Sequence, residues 1–305
     1  MEQLLQKLTQ KHNLGVIVST SLMPNENDIV YKMITTQNEY IIKIFTEQID
    51  IKKLNDKIIV SEMLNQMGIK CILPMKISEI YIGNEDNASY VIYPNYNLQI
   101  IPNESLTTTK LAIIAQTLAR IHQVNIKTAL NPYYQKIKIN LNKNINDESL
   151  KQIIKQYSPI IKEAITNCNK SIKYAKKRLC INHNDIKYKN LFWNQDELYI
   201  TNFDYCSYAN PYASLIEAAF NMCNYNYHLN LDFYNHFIKS YLVLNPLNMD
   251  SDKLLYASLN GKLQLFKKLL EQEETQKRNE NIKQIINELT IFYNNKLNLT
   301  IPFKN

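Results

Sequence analysis

The chain has 305 residues, 45% of them hydrophobic and 21% charged, a balance that fits a folded globular protein and excludes a disordered one. No apolar run approaches the ~18–20 residues of a membrane span, and residues 1–8 lack the basic flank and apolar stretch of a signal peptide, so a cytoplasmic protein without a membrane span is expected. The net charge of +7 accompanies abundant Lys, Asn, Ile and Tyr but only four glycines, a pattern that AT-rich codons produce without a nucleic-acid partner.

In chain order, the first ninety residues read as strands with one helix. Residues 29–34 and 40–45 are β-rich runs separated by the polar turn 35–39. Apolar positions at helical spacing follow over 51–68 (Leu54, Ile58, Met63, Met67), with Gly68 placed as a C-cap. Two further strands are predicted around 77–82 and 90–93, joined by the polar turn 83–87. From Pro94 onward helical patterns take over: Leu111, Ile114, Leu118 and Ile121 mark one face, and the pattern recurs at 148–165, 213–223, 231–243 and 261–293. A strand-rich front (1–93) and a helix-rich back (94–305) make an α+β chain of two lobes.

The Lys-rich stretch 136–178 and the charged segment 271–281 read as solvated faces, with weak contact to an anionic surface as the alternative for the former. The five cysteines (71, 168, 180, 206, 223) show no C-x-x-C spacing, which predicts reduced, buried thiols rather than zinc ligands or disulfides.

Chemistry concentrates in residues 181–193, which contain His183-x-Asp185-x-x-x-x-Asn190. This is the spacing of a phosphoryl-transfer loop: the aspartate takes the proton of an acceptor hydroxyl, and the asparagine five residues on holds magnesium against the phosphates. His183, at the head of the loop, is expected to pack and fix its backbone. Residues 191–193 and 198–201 flank a polar turn in the manner of a hairpin, and the second strand delivers Asn202-Phe203-Asp204, where a second metal-binding segment belongs. A polar loop before an ordinary hairpin is the bland alternative. Upstream, Lys43 lies in an apolar β-run where an unpaired lysine is costly, and Glu62 lies on the next helix. They match the lysine–glutamate pair that positions nucleotide phosphates. The alternative for Lys43 is an edge residue facing water.

The whole chain resembles the aminoglycoside phosphotransferase/choline kinase superfamily. His183-Asn184-Asp185, followed by residues 202–211 (Asn-Phe-Asp-Tyr-Cys-Ser-Tyr-Ala-Asn-Pro), looks most like bacterial choline/ethanolamine kinases. Tyr40-Ile41-Ile42-Lys43 looks like the family's third strand, and Leu118-Ala119-Arg120-Ile121-His122 like its L-A-x-L-H helix. The resemblance implies a two-lobed protein-kinase-like fold, with an N-terminal antiparallel sheet lobe holding one helix and a mostly helical C-terminal lobe. It implies ATP and Mg2+ as cofactors and a choline- or ethanolamine-like acceptor. Asp185 would be the base, Asn190, Asn202 and Asp204 the metal positions, Lys43 the phosphate contact, Glu62 its partner, and Ile92-Tyr93 the hinge that receives adenine through backbone groups. Lys187 stands where protein kinases carry a lysine that contacts the transferred phosphate, although no glycine-rich loop or A-P-E-like segment is present. A quaternary ammonium needs aromatic faces, for which Tyr205, Tyr208, Tyr225 and Tyr227 are candidates, ordinary packing being the alternative.

Three departures stand out. Asn202 replaces the family's metal-binding aspartate, leaving Asp204 as the anionic ligand. Ser214 replaces the aspartate that braces the catalytic loop. The phosphate-covering turn 21–28 has no glycine, only Asn25 and Asn27 to adopt turn conformations. They keep open a catalytically impaired pseudokinase, and a kinase for another small alcohol (an aminoglycoside or thiamine) is the third reading.

Overall fold

The structure is a computed structural model that describes residues 2–23, 28–77, 79–141, 145–246 and 251–299. The first elements are α1 (Glu2–Lys11), β1 (Ile17–Met23), β2 (Ile29–Thr35), β3 (Glu39–Ile44) and α2 (Ile51–Gln66). They are followed by β4 (Gly83–Glu85), β5 (Ala88–Pro94), β6 (Gln99–Ile100), α3 (Thr108–Gln123) and α4 (Glu148–Ala175). Next come β7 (Cys180–Asn182), β8 (Leu191–Asn194), β9 (Glu197–Ile200), β10 (Ser207–Ala209) and α5 (Pro211–Cys223). The chain ends with β11 (Asn224–Tyr225), β12 (His228–Leu229), α6 (Leu231–Leu244), α7 (Ser251–Leu255), α8 (Asn260–Glu271) and α9 (Gln276–Asn295). These form two compact units. The first is Met1–Ile100 with Lys127–Leu130 and Asn190–Tyr205; the second is the remainder. The division is therefore not a single cut after residue 93, because residues 94–100 and the 190–205 hairpin group with the N-terminal sheet.

In the first unit an antiparallel sheet of order β1-β2-β3-β5-β4 carries a helix-covered core on each face. Strand alternation explains the sorting. Tyr40, Ile42 and Ile44 of β3 pack with Met33, Tyr90 and Ile92 under Leu4, Leu5 and Leu8 of α1. The intervening residues of β3 look the other way, where Val91, Phe45 and Tyr93 meet Leu54 and Ile58 of α2. Each fully buried Leu or Ile contributes roughly 1.5–3 kcal/mol, so both helices hold the sheet firmly. α2 starts at Asp50, whose side chain accepts from Lys53 N, and ends as expected at Gly68, with φ of 80°.

Two elements of this unit, α1 and β1, lie in a segment for which no structure was expected, so the lobe has two helices rather than one. Where a strand was expected at 77–82, the described residues form only an isolated Ile77–Ile80 bridge. The strand forms one step later, as β4, because Asp86 and Asn87 adopt φ of 49° and 63° and close a two-residue hairpin to β5. The hairpin β8–β9 was expected. Its second strand is tied to the segment after α2 by Ile72 N to Ile200 O at 2.8 Å and Ile200 N to Lys70 O at 2.9 Å.

The second unit is helical apart from the short pairs β7–β10 and β11–β12. α3 packs along α6 and α5, and α4 along α9. α4 runs ten residues beyond its expected end, and its lysines 151, 155, 162, 170 and 173 are exposed while Ile154, Ile161, Cys168 and Ile172 are buried, which is the solvated-face reading of that stretch. The expected helix 261–293 is two helices. Thr275 caps α9 by accepting from Arg278 N, and buried Arg278 donates through Nε to Leu269 O at 2.6 Å, capping α8 in turn. All five thiols are free; Cys71, Cys168, Cys206 and Cys223 are buried and Cys180 half-buried. Burial pushes Cys168 up to about 11 and Cys180 and Cys223 up to about 12, so these three stay protonated near neutrality. Among the described residues no helix is long and apolar enough to cross a membrane.

Left-handed backbone falls mainly on asparagine. Among the described residues nine non-glycine positions have positive φ, and six are Asn: 13, 87, 97, 184, 202 and 226.

Candidate active site

The first unit assembles one half of the expected chemistry. Lys43 projects from β3 on the α2 side, its side chain 12% exposed, and pairs with Asp204 and, at 3.1 Å, with Asp28. Burial opposes the charge on Lys43, but the Asp204 and Asp28 carboxylates outweigh it and hold the ammonium above the ordinary lysine range. Lys57 of α2 donates to the main-chain oxygen of Asp204, so two lysines grip this segment. Asn190 is buried at the end of the turn Tyr188–Asn190, and its Oδ1 accepts from Asn202 Nδ2 at 3.3 Å. Asn202 sits at φ of 64°, a left-handed conformation that an asparagine tolerates. Asn190, Asn202 and Asp204 offer oxygen donors suited to a hard divalent cation, with a single formal negative charge among them. No cluster of three His, Cys, Asp or Glu that could hold a metal ion occurs among the described residues.

Two residues assigned to this half sit differently. Glu62 does not partner Lys43. It binds Lys76 at 2.8 Å, and that hydrogen bond holds its carboxyl below the usual range. The helix phase explains the correction: Lys57 and, four residues on, buried Ser61 present the face toward Asp204, and Glu62 lies about 100° around from Ser61. The partner missed in the sequence is Asp28, and its signal was strand alternation. Val30 pairs with Lys43, and Asp28 stands two residues before Val30. At the expected hinge, Ile92 O already accepts from Met75 N at 2.7 Å. The ladder bonds Phe45 N to Ser89 O and Asn95 N to Glu39 O place the polar groups of odd-numbered β5 residues, Tyr93 included, toward β3. Tyr93 instead contributes its half-buried side chain beside Asp204 and Lys43, with its phenol held above the usual range by burial. The centre of the phosphate-covering turn, with Asn25 and Asn27, lies outside the described residues.

The second unit holds the loop from His183 to Lys187, in which the sequence placed the expected base. Fully buried His183 accepts from Asp185 N through Nδ1 at 3.2 Å, the bracing role expected of it. Asp185 pairs with Lys187 at 2.8 Å, the aspartate 14% and the lysine 44% exposed. Asn184, at φ of 58°, donates through Nδ2 to Ser207 Oγ at 2.7 Å, tying the loop to β10. Ser214 does brace the loop, in neutral form. Its Oγ donates at 2.7 Å to Oδ1 of fully buried Asn182, which also accepts Asn184 N at 3.3 Å. Behind Asn182 lies His122, bound to Tyr241 at 2.6 Å and kept neutral by burial, which lowers its pKa to about 4.

The four tyrosines proposed as a cage do not form one in either unit. Tyr205 belongs to the first unit and is 49% exposed. In the second, Tyr208 donates its phenol to Ile126 O at 2.8 Å, Tyr225 is half-buried in the β11–β12 hairpin, and Tyr227 at its tip is 72% exposed. Ser207 was read only as part of the 202–211 motif, without a role, and Glu217 was not read at all; Glu217 is the one charged residue in the apolar helix α5, which was the available signal.

The architecture is the protein-kinase-like fold of small-molecule phosphotransferases. A spectinomycin phosphotransferase solved with ADP and spectinomycin is similar, with a TM-score of 0.72 at 14% identity over 95% of this chain and 98% of that one. An amicoumacin kinase in complex with AMP-PNP, Ca2+ and Ami is similar at 0.69 and 14%, over 98% and 95% of the two chains. A choline kinase from Streptococcus pneumoniae is similar at 0.62 and 16%, over 95% and 99%. No family model matches the chain, and no curated protein sequence matches it.

Proposed function

We propose that this protein is an ATP- and Mg2+-dependent phosphotransferase of the cytoplasm that acts on the hydroxyl of a small amino alcohol of the choline or ethanolamine kind. The observation that carries the reading is the ion pair of Lys43 with Asp204, residues 161 apart in sequence, on a kinase fold whose loop presents Asp185. Asp185 accepts the proton of the acceptor hydroxyl as the oxygen attacks the γ-phosphorus of ATP, whose bond to the bridging oxygen breaks with ADP as the leaving group. Lys187, already beside that carboxylate, counters the charge of the phosphoryl group in flight. Lys43 leaves Asp204 for the nucleotide's phosphates, and Lys57 keeps the Asp204 segment in place. Asn190, Asn202 and Asp204 would hold magnesium, which when bound neutralises the phosphate oxygens.

A pseudokinase is the second reading, favoured by Asn202, which removes a charge from the metal set. Ser214 speaks less strongly for it than the sequence suggested, because its hydroxyl still anchors the loop through Asn182. The test is magnesium-dependent ATP consumption with ethanolamine, choline, thiamine and aminoglycosides. Acceptor-dependent turnover with any of them supports the enzyme, and nucleotide binding without turnover supports the pseudokinase.

A further inference from the structure

The unit that holds Asp185 also holds a half-buried carboxyl group that no step above uses. Glu217 of α5 accepts a hydrogen bond from Tyr133 Oη at 3.4 Å. Asp185, Lys187 and Lys262 stand close enough for their charges to act on it. Both lysines have other carboxylates in hand: Lys187 pairs with Asp185, and Lys262 pairs with Glu288 while lying 5.2 Å over the Phe220 ring. Three carboxyls thus face two ammonium groups, and among the described residues Glu217 is in no ion pair. Glu217 and Tyr133 each keep part of their surface open to solvent.

A glycine secures the arrangement. A Cβ at Gly261 would fall 1.8 Å from Tyr133 Oη and 3.2 Å from Glu217 Oε1. Glycine is a poor helix former, yet one of only four in the chain stands in the first turn of α8, where it gives Tyr133 the room to reach Glu217.

We infer that Glu217 and Tyr133 form the seat for the acceptor's positive charge, and that the acceptor carries a primary or secondary ammonium rather than a quaternary one. A carboxylate and a phenol oxygen both accept hydrogen bonds, which an N–H-bearing ammonium can give and a quaternary one cannot. The side chain hydrogen-bonded to Glu217 is the Tyr133 phenol, which offers an oxygen, whereas a quaternary ammonium is held on aromatic faces. A single cation also balances the excess carboxyl. Burial, reinforced by Asp185 and opposed by Lys262, Lys187 and the Tyr133 hydroxyl, pushes the Glu217 carboxyl up to about 8. The empty seat therefore holds a proton near neutrality, which an entering cation displaces. The inference rests on the reading of Asp185 as the base at an acceptor site.

The experiment measures turnover and calorimetric binding of ethanolamine, kanamycin and choline by wild type, Glu217→Gln and Tyr133→Phe. Wild type should prefer ethanolamine or kanamycin to choline. Glu217→Gln should raise KM or Kd for the preferred amine about tenfold or more, the loss expected of a charge-assisted hydrogen bond, with ATP affinity unchanged. Calorimetry in buffers of different ionisation heat should show up to about one proton released on binding to wild type near pH 7 and none from Glu217→Gln. Preference for choline, or an amine affinity unmoved in both variants, overturns the seat and leaves the kinase reading standing. Glu217-dependent binding without turnover retains the seat and removes the kinase. Neither binding nor turnover with any of the three overturns both.

Discussion

Glu217→Gln should make the protein more stable than wild type at pH 8.5 and hardly change it at pH 4.5. A carboxyl raised from 4.5 to about 8 keeps its proton in the folded chain over an interval in which the unfolded chain has released it. Stability therefore falls as pH climbs through that interval, and the whole penalty is present above 8. At about 1.4 kcal/mol per pH unit, the shift of about 3.5 units amounts to about 5 kcal/mol, and the part of Glu217 left open to water reduces this to about 3 kcal/mol. Glutamine reproduces the protonated carboxyl, including the acceptor for Tyr133, without the charge. Urea unfolding of both proteins at pH 5, 6.5 and 8.5 should show a gap growing from about 1 to about 3 kcal/mol in favour of the variant. Other titrating groups are common to both proteins and cancel. Parallel profiles, or a wild type more stable at pH 8.5, would refute the reasoning. The substitution should thus strengthen the fold while weakening acceptor binding, as expected of a group retained for function.

Three other outcomes are expected. Asp185→Asn should lower turnover about 10²–10⁴-fold and leave nucleotide affinity nearly unchanged, since the group acts on the acceptor; wild-type turnover in this variant removes Asp185 from the mechanism. Asn202→Asp should tighten magnesium binding and raise the rate, read by magnesium titration beside acceptor-dependent ATP turnover; tighter metal binding with turnover absent in both proteins decides for the pseudokinase. Ser214→Ala should cost about 1–2 kcal/mol by removing a donor from buried Asn182, and should lower kcat more than it raises the KM for ATP, with Ser214→Thr restoring both; an alanine variant of unchanged stability and kcat refutes the brace.

The fold was legible where periodicity was strong. β2, β3, α2, α3, α5, α6 and the β8–β9 hairpin lie close to where the apolar spacing placed them. The misses share a physical cause, because they occur where side-chain pattern and backbone demands differ. Residues 77–82 are apolar enough for a strand, but Asp86 and Asn87 supply the left-handed turn and shift the pairing to β4. The charged stretch 271–281 hid a break, since the capping bonds of Thr275 and Arg278 leave no trace in hydrophobic spacing. In the site, contacts between near neighbours in sequence, such as His183 with Asp185, were readable, as was the likeness of the 181–211 block. The partners of Lys43 depended on helix phase and strand register, where matching the lysine–glutamate pair of kinase folds gave Glu62 in place of Asp28.

The left-handed asparagines at 184 and 202 have a consequence for how these loops come to order. Glycine reaches that backbone region freely but carries the largest entropy into the unfolded chain; asparagine enters it at modest cost and has less freedom to lose. Its amide then works as well, for Asn184 binds Ser207 and Asn202 binds Asn190. The two contributions can be separated at one atom set: glycine at 184 keeps the turn and discards the tether to β10, whereas alanine discards both. A chain that economises on glycine in this way meets folding with a less disordered starting ensemble, and the loop around Asn184 is held by an amide tether as well as by backbone geometry.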